Sequence, residues 1–178
     1  MVSNPVSIHP VSLIEMARIY ISIGSNIDAE IHLRQAVAAL REHYGQVTLS
    51  TVYESEAVGF AGENFLNLVA GLDTDEDVHT VVGTLRAIED RYGRERSGPR
   101  FSARTIDLDL LLYDSVVQHE PGLDLPRDEI TRNAFVLWPL AEIAPQLVHP
   151  ERGETMAQLW AAYDKASQKL WPVPFAFS

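Results

Sequence analysis

The 178-residue sequence contains no cysteine and only two lysines, Lys165 and Lys169. Without cysteine there is no disulfide framework, no thiol nucleophile and no thiolate zinc site. No apolar run approaches the length that spans a bilayer. The first seventeen residues hold two prolines and no basic residue, so they lack the charged start of a signal peptide. Internal repeats and low-complexity tracts are absent. So are the two common nucleotide signatures, G-x-x-x-x-G-K-[ST] and G-x-G-x-x-G. A nucleotide enzyme with this sequence is therefore neither a P-loop nor a Rossmann protein. A cytoplasmic location is the expectation.

What is present suffices for one domain. The chain is 46% hydrophobic and 22% charged, and a chain of this length buries roughly 70% of its unfolded surface. We expect a loose extension over 1–17, a single domain over 18–171 and a tail over 172–178. The formal net charge of −11 argues against a nucleic-acid or anionic-membrane surface. The positive charge is nevertheless gathered. Six of the twelve arginines, Arg86, Arg91, Arg94, Arg96, Arg100 and Arg104, share the window 86–104 with only Glu89, Asp90 and Glu95. That window carries +3 and leaves −14 for the remainder.

Apolar periodicity predicts the elements in order. Strands are expected over Arg18–Ile23, Val47–Glu54, Asn64–Asp73 and Thr105–Leu112. Between them, a helix capped by Asp28 carries Ile31, Ala36, Val37 and Leu40 on its buried stripe. A second helix over Asp75–Tyr92 carries Val78, Val81, Val82, Leu85 and Ile88, and Gly93 ends it. The order βαββαβ is the ferredoxin-like, split-βαβ pattern of an α+β fold. A proline-punctuated third follows, with short helices over Arg132–Ile143 and Thr155–Ser167.

The sharpest local feature is Arg104-Thr105-Ile106-Asp107-Leu108-Asp109-Leu110-Leu111-Leu112. Strand alternation sends Ile106, Leu108 and Leu110 to one face and places Asp107 and Asp109 together on the other, about 7 Å apart. The plainer reading is an edge strand with a solvated acidic face. Four leucines and an isoleucine favour an interior strand instead, where paired carboxylates need neutralising. Salt bridges to the arginine window would do that, but the window holds twice as many arginines as acids. Surplus arginine beside paired aspartates suits a polyphosphate carried with Mg²⁺, the carboxylates taking the hard cation and the guanidinium forks the phosphate oxygens. That arrangement is what phosphoryl-type transfer needs.

Five blocks then carry a family resemblance: YISIGSNID at 20–28, LNLVAGLDT after Phe65, IEDRYGRER at 88–96, RTIDLDLLLYD at 104–114 and FVLWPLAEIAPQLVHP at 135–150. In this order they resemble the 6-hydroxymethyl-7,8-dihydropterin pyrophosphokinases of folate biosynthesis. The resemblance implies the ferredoxin-like fold and transfer of the β,γ-pyrophosphoryl group of ATP to the pterin hydroxymethyl oxygen, with two Mg²⁺ between the substrates. By that resemblance Asp107 and Asp109 are metal ligands, and Glu89, Arg96, Arg104 and Leu110 face the nucleotide. Arg94 and Arg100 would close over the phosphates. Asn67 would hydrogen-bond the pterin, Phe65 or Phe135 would cover its ring, and Ser55, Ala57 and Val58 would offer backbone groups. Taken alone, Asn67 equally suits a sheet end, and the two phenylalanines suit a core. The expected partners are small molecules, ATP and the pterin, with no nucleic acid or membrane, and the expected state is a monomer. No general base stands out.

The departures from the family pattern cluster. Ser55-Glu56-Ala57-Val58-Gly59 replaces a T-P-P-[LVI]-G-like pterin loop, removing its prolines and adding an acid. Leu125-Pro126-Arg127 stands where the family has L-P-H. Arg127 would keep a positive charge toward phosphate at every pH, without the donor–acceptor duality of histidine. Asn133 replaces a usual arginine, and Phe101-Ser102-Ala103-Arg104 replaces W-G-P-R. Two other readings follow from these changes: a divergent paralogue acting on another hydroxymethyl-pterin, and a non-catalytic nucleotide- or pterin-binding protein.

Overall fold

A computed structural model describes residues 15–56, 63–92 and 105–177. The central strand β1 (Ala17–Ser25) alternates strictly. Ile19, Ile21 and Ile23 are fully buried against one layer, and Tyr20 faces the other. It pairs antiparallel with β4 (Phe65–Thr74) on one side and β5 (Asp107–Tyr113) on the other. Beyond β4 lie β2 (Val47–Leu49) and β3 (Val52–Ser55), and β8 (Leu170–Val173) continues the sheet beside β3. The strand order β5-β1-β4-β3-β8, with α1 (Ala29–Tyr44) and α2 (Val78–Tyr92) as crossovers, is the expected ferredoxin-like βαββαβ frame with one added strand.

Several local expectations need correction. Ile31 is 57% exposed, because the buried stripe of α1 runs through Leu33, Ala36, Val37 and Leu40, and Ile31 lies roughly opposite Leu33 on the helix. Asp28 does not cap α1 through its side chain. It sits in the left-handed region (φ 44°) and accepts the His32 N–H on its backbone carbonyl. The single strand expected over Val47–Glu54 is two. Ser50 Oγ takes the Val69 N–H at 2.9 Å, and the Thr51 N–H and hydroxyl turn to the Glu142 carboxylate, which interrupts the ladder. By pairing, β5 is an edge strand rather than an interior one. Its leucines are buried all the same: Leu108 and Leu110 join the α1/α2 core, and a bulge opposite Tyr20/Ile21 turns Leu111 and Leu112 into the second core. The Arg127 N–H covers its open edge by donating to Leu111 O at 3.0 Å.

The C-terminal third builds that second core. A hairpin of β6 (Gln118–Glu120) and β7 (Leu123–Leu125) precedes α3 (Glu129–Arg132), α4 (Ala134–Ile143) and α5 (Met156–Ala162). The two helices expected here are each broken. Asn133 is extended and separates α3 from α4, and α5 stops at Ala162 before a short 3-10 turn, Lys165–Ser167. Val136, Leu137 and Leu140 of α4 pack on Tyr20, Val69 and Leu111. The sheet runs past position 171, and Phe175 and Phe177 pack against the first core. None of the described helices is long and apolar enough to cross a membrane.

Candidate active site

The four strands β5, β1, β4 and β3 place one residue each in a row across the sheet: Asp107, Gly24, Asn67 and Tyr53. Above that end opens a cleft of about 860 Å³. Six residues expected from the sequence line it: Asp107, Asp109, Ser55, Phe65, Asn67 and Phe135. Asp107 is exposed and Asp109 half-buried, both on the cleft side of β5, as alternation requires.

Asn67 is fixed from two directions. Its Nδ2 donates to Ser55 Oγ at 3.2 Å, and its side chain lies flat over Gly24. A Cβ at position 24 would stand 2.6 Å from Asn67 Oδ1, so only glycine admits this approach. Phe65 stands at the open end of β4, opposite Ser55, and Phe135 comes from the first turn of α4. The α4 N-terminus is held by Gln168, whose Oε1 accepts the Ala134 N–H at 2.8 Å while its Nε2 donates to Arg132 O. The 166–170 segment thereby becomes the outer wall of the cleft.

Leu110 and Arg127, expected on the nucleotide side, line a second, much smaller hollow beside the cleft. Its floor is Val82, Leu85, Leu108 and Leu123, and Arg86 shares its rim. Glu89 does not reach the surface of either space. It is 4% exposed, accepts the Leu108 N–H at 3.0 Å and pairs with Arg86, so it secures α2 to β5 from behind. Arg127 lies 3.6 Å from Asp109 and donates from Nε to Glu129 at 2.9 Å. Burial alone would lower its pKa, but Asp109 and Glu129 outweigh that and hold it above the usual guanidinium value. Ala57, Val58, Arg94, Arg96, Arg100 and Arg104 lie outside the described residues.

Sequence reading passed over Ser22, Gly24, Glu129 and Lys169 as cleft residues. Gly24 had a signal in the Gly-Ser-Asn end of the first strand, and Lys169 in the rarity of lysine. Glu56 and Asn133, noted as departures, also line the cleft. Its described lining thus holds four carboxylates, Glu56, Asp107, Asp109 and Glu129, and one cation, Lys169. The chemistry of such a surface suits a cation or a ligand that brings one. Two neighbouring aspartates fit Mg²⁺, which takes one or two protein carboxylates and completes its shell with water and substrate phosphate.

Comparison with known proteins gives the family. Residues 20–145 match the family described as 7,8-dihydro-6-hydroxymethylpterin-pyrophosphokinase (HPPK). The chain belongs to the HPPK family. It is 35% identical over 156 residues to the 2-amino-4-hydroxy-6-hydroxymethyldihydropteridine pyrophosphokinase of Bacillus subtilis, covering 85% of this chain and 89% of that one. The Pseudomonas aeruginosa enzyme of the same name is 36% identical over 149 residues, 82% and 91% of the two chains. In three dimensions the chain is similar to a crystal structure of Plasmodium falciparum HPPK-DHPS, with a TM-score of 0.66 at 12% identity. That match covers 84% of this chain and 45% of the other, and it bears on the fold alone. The HPPK match spans β1 through α4, so it includes both aspartates, Asn67 and both phenylalanines.

Proposed function

We propose that the protein is a Mg²⁺-dependent pyrophosphokinase that passes the β,γ-pyrophosphoryl group of ATP to 6-hydroxymethyl-7,8-dihydropterin. The hydroxymethyl oxygen forms a bond to Pβ, the bond between Pβ and the α,β-bridging oxygen breaks, and AMP leaves with that electron pair. The hydroxyl proton passes to solvent or phosphate. One observation carries the reading: a paired-aspartate strand end, flanked by arginines, opens into the same cleft as an oriented amide and two aromatic rings.

Asp107 and Asp109 are the proposed holders of two magnesium ions. When bound, these would neutralise phosphate charge and lower the pKa of the attacking alcohol. The chain's own part is placement. Asn67, held by Ser55, presents its amide to the edge of the pterin, and Phe65 and Phe135 confine the ring so that its hydroxymethyl group points toward β5. Leu110 is assigned to the nucleotide on the family resemblance, and Arg127 to its phosphates by its charge. Arg94, Arg96, Arg100 and Arg104 are assigned to the phosphates, and Ala57 and Val58 to the pterin, on the family resemblance. We place the activity in the cytoplasm, in a monomer.

The test is AMP release by Asp107→Ala and Asp109→Ala. Each is expected to fall at least ~1,000-fold, with circular dichroism and pterin binding nearly unchanged. Substantial AMP production by either variant would sink the metal assignment. A second reading, on substrate alone, rests on Glu56 and Asn133 in the cleft wall. It predicts faster AMP release with a different hydroxymethyl-pterin in a substrate panel.

A further inference from the structure

Asp109 is held from two sides before any ligand enters. Arg86 Nη2 lies 3.9 Å and Arg127 Nη2 3.6 Å from the same oxygen, Asp109 Oδ1. Each arginine has a second anchor, Glu89 for Arg86 and Glu129 for Arg127. The result is an alternating ionic chain, Glu89–Arg86–Asp109–Arg127–Glu129, drawn from α2, β5 and the segment entering α3. It also divides the space. Asp109 and Glu129 line the large cleft, whereas the two arginines line the small hollow.

The contacts to Asp109 are looser than those to the anchors. Distances of 3.6 and 3.9 Å are ion pairs without hydrogen-bond geometry, while Arg127 Nε reaches Glu129 at 2.9 Å and Arg86 is in close contact with Glu89. Glu89 in turn is buried and fixed to the backbone of β5 at Leu108, one residue before Asp109. Arg86 is thus anchored at Glu89, and its contact with Asp109 is the looser of the two. Both guanidiniums are accessible from solvent, with side chains 44% and 31% exposed against 20% for Asp109.

We propose that Arg86 is a positioning residue that, together with Arg127, holds Asp109 until a polyphosphate takes the two guanidiniums and frees the carboxylate for a divalent cation. This rests on the pyrophosphokinase reading for the polyphosphate and deepens it by assigning Arg86. A carboxylate shared by two cations is a weakened ligand for a third. Phosphate oxygens offer the guanidinium forks bidentate partners that a single carboxylate oxygen does not. Because coupling is reciprocal, whatever cation affinity the arginines withhold from the free protein is returned when nucleotide binds.

The experiment titrates Mn²⁺ into the full chain and follows the free ion by electron paramagnetic resonance, for wild type, Arg86→Met and Arg127→Gln. Without nucleotide, both variants are expected to bind Mn²⁺ roughly 5- to 10-fold more tightly than wild type. An Asp109→Asn variant shows no such gain. With an α,β-methylene ATP analogue present, the difference between wild type and the variants closes, because the arginines have already left Asp109. A purely structural Arg86 would leave Mn²⁺ affinity unmoved. Unchanged or weaker Mn²⁺ binding by folded Arg127→Gln overturns the shared hold. Tightening there but not in folded Arg86→Met overturns the role of Arg86. If Arg86→Met does not fold, Arg86→Gln takes its place and is read against the same outcomes. Failure of the pyrophosphokinase reading is seen separately, as an analogue that does not bind wild type while the nucleotide-free comparison still stands.

Discussion

The cleft has two unlike walls. One is the strand ends of β1, β3, β4 and β5, in which each site residue is locked by ladder partners on one or both sides. The other is the C-terminal segment, where Glu129, Asn133, Phe135 and the 166–170 stretch are set by side-chain contacts such as Gln168 to Ala134. The first wall has little freedom to shift without breaking a sheet. The second meets the ladder at Leu170, opposite Ser55, and otherwise rests on helix packing and the two hydrogen bonds of Gln168. Chemistry that needs fixed geometry accordingly sits on the sheet wall, with Asp107, Asp109 and Asn67. Ring contact and the rim fall to the other.

Substitutions should separate the two walls. Gly24→Ala is the hardest test of the rigid one. Its methyl group would displace Asn67 Oδ1 from 2.6 Å, and kcat/KM for the pterin is expected to fall roughly 100-fold. A loss below threefold would show that the amide is not locked there. Phe135→Ala removes a ring from the softer wall. Steady-state kinetics should show pterin KM rising about 10-fold with kcat nearly kept, since the contact is lost equally from ground and transition states. Gln168→Ala uncaps α4 and should lower stability by about 1 kcal/mol in urea unfolding, with a change of only a few fold in KM.

The smallest effect is one of pH. Burial, with help from Arg152, pushes the pKa of His149 below its usual value, and its Nδ1 accepts the N–H groups of Glu151 and Arg152. The unfolded chain takes up a proton near pH 6.5 that the folded chain resists. Stability from this residue is thus present above that pH and lost as pH falls through the depressed folded value. His149→Asn, which keeps an acceptor but cannot titrate, should flatten unfolding free energy measured between pH 7 and pH 5. An unchanged slope would remove His149 from the account.

The sheet wall was also the more legible one. Period-2 alternation in Ile19–Ile23 and in Asp107–Leu110 is a local signal, and it located β1, β5 and the shared face of the two aspartates. Long-range contacts left no such trace. Gly24 and Asn67 are forty-three residues apart, and nothing in either neighbourhood shows that one lies over the other. The hold of Arg127 on Asp109 depends on a hairpin and a turn between them. The break at Ser50 was hidden because Val47 and Val52 both suit a strand, and β8 because Pro172 reads as a stop. Proline is tolerated there because β8 is an edge strand. The charge pattern was legible only in part. The arginine window pointed to phosphate, yet Arg86 is already engaged with Glu89 and Asp109.

The most direct measurement follows the phosphorus. The full chain is incubated with ATP, Mg²⁺ and 6-hydroxymethyl-7,8-dihydropterin and read by ³¹P nuclear magnetic resonance. The account predicts AMP and a pterin diphosphate formed one for one with ATP consumed, and no ADP. Production of ADP and a pterin monophosphate, or no turnover on any hydroxymethyl-pterin despite bound nucleotide, would contradict it.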